Sequence, residues 1–144
     1  MPYQTWRSSD QGLSAAESLR LFGPRLVVEV AHPARNLWRA LAAVIDTGSA
    51  YNLIDEQVAK ALALPRLQSL DIPSLSGRQR YTLYCCRIVL SGVDTAAEAA
   101  RALGVRDLAG LDGYKPFAFV LGREQMSERI LIYNGRCGEI TVTG

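Results

Sequence analysis

Ala43-Val44-Ile45-Asp46-Thr47-Gly48-Ser49 sets a carboxylate at the end of an apolar run, followed by a hydroxyl, a glycine and a second hydroxyl. Glycine permits a tight turn that exposes the backbone, and other residues enter such turns only at a cost. Hydroxyls and turn amides in that turn can hold the carboxylate in one orientation through charge-assisted hydrogen bonds. The same four residue types also build ordinary capped turns, so the segment gains meaning only from what surrounds it.

Upstream, Leu37 to Ile45 is almost wholly apolar and predicts a strand covered on both faces. Leu26–Val30 predicts another strand, joined to it by a turn around Pro33. Residues 1–23 are set apart as an N-terminal extension, with the domain itself over 24–144. Within the extension, Leu13, Ala16, Leu19 and Phe22 recur at helical spacing from Asp10 to Phe22, and Gly23-Pro24 ends the pattern.

Downstream, Asp55 is placed to cap a helix with Glu56 and Lys60 one turn apart and Val58 and Leu62 facing inward. Pro65 stops it. Arg66 to Leu90 reads as a hairpin whose tip is Pro73-Ser74-Leu75-Ser76-Gly77. On its return strand Thr82, Tyr84, Cys86, Ile88 and Leu90 share one face. Thr95–Leu103 is open between helix, by its alanines, and strand, by its neighbours. Phe117–Leu121 predicts a strand ending at Gly122-Arg123, with a short helix over Glu124–Arg129. Strands over Ile130–Tyr133 and Glu139–Thr143 are joined through Asn134-Gly135. The sum is a mostly β domain, a small closed β-barrel of many short strands with one or two short helices.

Composition narrows the function classes. A chain of 144 residues fits one compact domain. With 16 basic and 14 acidic side chains there is no excess of charge to build a nucleic-acid face. Arg78, Arg80 and Arg87 read as a solvated strand surface. No apolar run reaches the roughly 20 residues a membrane span needs, and the N-terminus has no leader pattern. A cytoplasmic location and no membrane partner are therefore expected. Cys85, Cys86 and Cys137 form no disulfide framework. The single His32 cannot complete a zinc site or a Ser-His-Asp hydrolase. No metal or other cofactor is expected.

The second apolar strand ending in glycine, Phe119-Val120-Leu121-Gly122-Arg123, changes the weight of the first. Asp-Thr-Gly-Ser after an apolar strand, followed later by two apolar residues and Gly-Arg, resembles the retropepsin-like aspartic peptidases. The resemblance covers about Leu26 to Val142. It implies a β-barrel of the acid-protease type, with Asp46 catalytic and Thr47, Gly48 and Ser49 supporting its loop. Ser49 is expected to hydrogen-bond the carboxylate. Gly122 and Arg123 become the supporting second motif, with Arg123 a structural ion-pair former. The hairpin from Leu70 to about Leu83 becomes a flap, with Leu75, Ser76, Gly77 and Tyr81 as candidates to touch substrate. The sequence departs from the family in having one glycine at the flap tip, and in Glu124-Gln125 after Gly-Arg.

Aspartic peptidases use two carboxylates that share a proton. Asp94-Thr95-Ala96, Asp112-Gly113 and Asp71-Ile72 lack the motif, so the chain holds one half-site. The resemblance thus implies a homodimer acting on a peptide or protein substrate as an aspartic endopeptidase. The alternative is a catalytically weak or inactive member of the fold that binds peptide or dimerises without cutting.

Overall fold

The computed structural model describes residues 2–110 and 115–144, with Ser74 described by its backbone alone. Asp112-Gly113 lies outside the described residues. The chain runs through β1 (Tyr3–Arg7), α1 (Ala15–Phe22), β2 (Arg25–Ala31), β3 (Trp38–Ile45), β4 (Asn52–Asp55) and α2 (Glu56–Ala61). It continues through β5 (Arg66–Ser74), β6 (Gly77–Leu90), β7 (Glu98–Val105), β8 (Phe119–Leu121), α3 (Arg123–Met126), β9 (Leu131–Asn134) and β10 (Glu139–Thr143). A single 3-10 turn, Leu108–Gly110, follows β7.

Seven strands form one sheet in the order β2-β3-β8-β4-β7-β6-β5, and β2 also pairs with β6. Six strands therefore follow one another around a ring, while β5 stays outside as the partner of β6. The mostly β architecture with few helices matches the expectation, but the ring is partial. Its weak points are β8, only 3 residues long, and the β4–β8 junction, where Leu53↔Val120 and Ile54↔Phe119 are the paired residues. A second sheet, β1-β10-β9, closes the body.

Strand alternation builds the core. Val28 and Val30 from β2, Leu41, Ala43 and Ile45 from β3, and Tyr84, Cys86, Ile88 and Leu90 from β6 all point inward and are buried. The inward face of β6 is the one its sequence pattern predicts. Burial pushes the Cys86 thiol up to about 12, which leaves it unreactive. Cys85 faces the other way, and all three cysteines are free thiols.

Two expectations are corrected. β3 is covered on one face only over its first half: Trp38, Ala40 and Ala42 are exposed while Leu41 and Ala43 are buried. The alanines make the run look continuously apolar, yet they are small enough to sit on an antiparallel sheet's outer face. The inward face of α2 is Ala59 rather than Val58, which is half-buried, with Leu62 buried at the helix end as expected. The open choice over Thr95–Leu103 resolves as strand, because β7 pairs with β6 on one side and β4 on the other. Pairing on both edges outweighs the helix preference of alanine.

Local signals hold where they are short-range. The Asp55 carboxylate accepts the Gln57 N–H at 3.0 Å, capping α2. Its other oxygen accepts the Ala109 N–H at 3.1 Å, tying the cap to the turn after β7. Asp55→Ala orphans both amides at a buried position and is expected to cost about 2 kcal/mol, read from the urea unfolding midpoint. Near the N-terminus the helix starts later than predicted. Ser14 and Glu17 form a reciprocal capping box at Ala15, while Asp10 pairs with Lys115 at 2.7 Å. Leu19 of α1 is part of the hydrophobic core, and β1 pairs with β10 along its whole length, from Tyr3↔Thr143 to Arg7↔Glu139.

Candidate active site

The two sequence motifs meet because β3 and β8 are parallel neighbours. Ala43, Val44 and Ile45 lie opposite Phe119, Val120 and Leu121, so Asp46 and Gly122 leave adjacent strand ends. The Asp46 N–H donates to the Leu121 carbonyl at 3.0 Å, locking the start of the loop to β8.

Beyond that point the loop turns on itself. The Gly48 N–H donates to one Asp46 carboxylate oxygen at 2.9 Å, and the Ser49 N–H donates to the Asp46 carbonyl at 3.1 Å. Among the described residues the other carboxylate oxygen has no partner, and Asp46, Thr47 and Gly48 are exposed. Ser49 does not reach the carboxylate. Its hydroxyl donates to the Tyr51 carbonyl at 2.6 Å and fixes the exit of the loop. The expected orienting role falls to the Gly48 amide, because the turn aims that N–H at the carboxylate.

The second motif supports the first. The Arg123 N–H donates to the Ser49 carbonyl at 2.8 Å, and its guanidinium donates to the Thr47 carbonyl at 2.7 Å. Among the described residues Arg123 makes no ion pair, so its support is a hydrogen bond to the loop backbone and not the expected salt bridge. Glu124 takes the ion pair instead, with Arg101 at 2.6 Å.

Gly122 is required by space. A Cβ there would lie 2.2 Å from the Tyr51 carbonyl oxygen and 2.9 Å from that of Ser49. Backbone atoms cannot yield as a side-chain tip can. Gly122→Ala is expected to lower stability by about 3 kcal/mol and to separate the two loops. Thermal unfolding and the loss of amide exchange protection at Asp46 would both report it.

Sequence reasoning missed the polar core beneath these loops. Asn52 is fully buried. Its side-chain oxygen accepts the Gly122 N–H at 2.9 Å, and its amide group donates to the Arg101 carbonyl at 3.0 Å and to Gln125 at 3.2 Å. An Asn beside Tyr51 and close to a glycine turn reads as a turn residue. Only its burial reveals a brace.

An apolar cavity of about 370 Å³ opens beside the loop, lined by Ser49, Tyr51, Leu53, Ile72, Tyr81 and Leu103, among others. Tyr81, Ser49 and the Asp46 loop are thus brought together. Leu75, Ser76 and Gly77 are not among the lining residues; they form the hairpin tip, where Leu75 is fully exposed and Gly77 takes a φ of +105° that suits glycine. A larger cavity of about 630 Å³ touches α3. Its charged walls are already spent on each other, through Arg101–Glu124 and Arg129–Glu98. The smaller cavity is the better match to an uncharged peptide side chain.

Among the described residues no cluster of three or more His, Cys, Asp or Glu is placed to hold a metal. Nor is any helix there long and apolar enough to cross a membrane.

No protein-family model matches the chain, and no curated protein matches it in sequence. Solved structures do match. A retropepsin-like aspartic protease from Rickettsia conorii aligns at a TM-score of 0.54 and 9% identity, over 97% of this chain and 92% of that one. Simian foamy virus (mac) protease aligns at 0.48 and 16% identity, over 72% and 91%. EIAV protease, solved with the inhibitor HBY-793, aligns at 0.49 and 15%, over 73% and 86%. The Rickettsia structure carries the assignment: at this identity the likeness is one of fold, and the fold is retropepsin-like.

Proposed function

From a retropepsin-like fold with one Asp46 loop per chain, we propose that two copies form a single aspartic endopeptidase site. The observation that carries the reading is the state of that loop. One exposed carboxylate is oriented by an amide, braced from behind by Arg123, and left with an open oxygen.

A lone carboxylate has no second group to share a proton with. Across a two-fold axis Asp46 meets its own copy, and like charges about 3 Å apart hold one proton between them. One carboxylate then takes a proton from the attacking water while the other protonates the scissile carbonyl oxygen. The pair titrates as a unit. The Thr47 hydroxyl makes no hydrogen bond within the described residues, so it is free to brace the facing loop. The apolar cavity seats a substrate side chain beneath the β5–β6 hairpin, which serves as the flap. In this proposal the peptidase domain spans 24–144, with residues 1–23 packed on it through β1 and α1. Free thiols suit a reducing, cytoplasmic setting.

The test is cleavage of a diverse peptide pool across roughly pH 3–8, a range set by how far environment moves carboxylate dyads. Cutting that rises more steeply than linearly with protein concentration supports the dimeric site. A stable dimer that binds peptides and cuts none would replace it with the binding-module reading.

A further inference from the structure

Among the described residues three strands leave a free edge: β1, β5 and β9. Exposed edges offer unpaired backbone groups to other chains, and proteins guard them with charges or proline. β5 carries Arg66, Asp71 and Pro73. β1 alternates polar residues and ends in Arg7, paired with Glu139. β9 has neither charge nor proline.

The β9 edge is nonetheless rich in apolar surface. Ile130 and Ile132 are each 55% exposed and Tyr133 is 51% exposed. The charge just before it, Arg129, is withdrawn into ion pairs and its side chain is only 6% exposed. The strand is also held firmly from behind. It pairs with β10, whose Ile140 and Val142 are core residues.

We infer that β9 pairs antiparallel with β9 of a second copy, joining two three-stranded sheets into one six-stranded sheet across the dimer. This rests on the two-copy reading above and names the surface that assembles it. An antiparallel strand paired with its own copy is isologous, so it closes at two chains. Exchange of the N-terminal strand is disfavoured, because β1 is already paired throughout with β10 of its own chain. The edge is also close to the site along the chain. Only residues 127–130 separate it from α3, whose Arg123 holds the Asp46 loop.

The test is sedimentation equilibrium on the full chain and on Ile132→Arg, with Trp38→Arg as a control at another exposed apolar position. Circular dichroism checks that each variant is folded. Ile132→Arg is expected to weaken dimerisation at least ~100-fold, by placing two like charges at a desolvated strand edge. Trp38→Arg is expected to dimerise like the wild type. In a Cys137→Ser background, Leu131→Cys, Ile132→Cys or Tyr133→Cys is expected to give a covalent dimer on oxidation. A folded Ile132→Arg chain that dimerises normally overturns the inference, as does a wild type that stays monomeric when concentrated. Cleavage is read separately. A dimer lost on Ile132→Arg but inactive on peptides supports the β9 surface and sinks the peptidase. An active dimer untouched by Ile132→Arg does the reverse.

Discussion

Asp46→Asn is expected to lower peptide cleavage by about 10⁴-fold or more while leaving the fold and the dimer intact. The amide keeps the shape of the carboxylate and can still accept from the Gly48 N–H. It cannot take a proton from water at working pH, and two amides cannot share one. Because Asp46 is exposed and makes no ion pair among the described residues, the substitution leaves no buried charge behind, and the unfolding midpoint should hardly move.

Mixing makes the prediction sharper. When half of the wild type is replaced by Asp46→Asn at constant total protein, random pairing leaves about a quarter of the activity. Chains that worked singly would retain about a half, so the ratio separates a shared site from an independent one. Unchanged activity in the Asn variant would remove Asp46 from the chemistry altogether.

Arg129→Met is expected to give the largest loss of stability, about 3–5 kcal/mol, with a drop of roughly 10 °C in the thermal midpoint. Arg129 bonds Asp94 at 2.9 Å with side chains only 6% and 8% exposed, and it also pairs with Glu98. Asp94 in turn accepts the Leu90 N–H at 2.8 Å, and Arg129 donates to the Thr143 carbonyl. One guanidinium thus ties the turn after β6 to β7 and β10. Removing it strands a buried carboxylate, and methionine fills the volume without answering the charge. The contrast is Arg80→Ala, which breaks an exposed pair with Asp71 and should cost below about 1 kcal/mol. Equal losses from the two variants would refute the buried clamp.

The same residues show where sequence alone stops. Arg129 lies 31 positions from Glu98 and reads along the chain as one more surface cation. Asn52 reads as a turn former, and the alanines of β7 read as helix. Each is decided by neighbours far away in sequence, because burial and strand pairing, not local preference, set the outcome. The parallel contact of β3 with β8 is of this kind too, and it alone brings Asp46 to Gly122. So is the exposure of β9, which looks like core when read as Ile-Leu-Ile-Tyr.

What the sequence by itself determined is everything set within one turn or one strand. The Asp55 cap, the hairpin tip at Leu75-Ser76, the buried face of β6 and the carboxylate at a strand end were legible because their causes lie within a few residues. The tertiary structure alone decided which strands are neighbours, which polar groups are braces and which edge is left open. Those depend on register and closure across the whole ring, and no local window contains them.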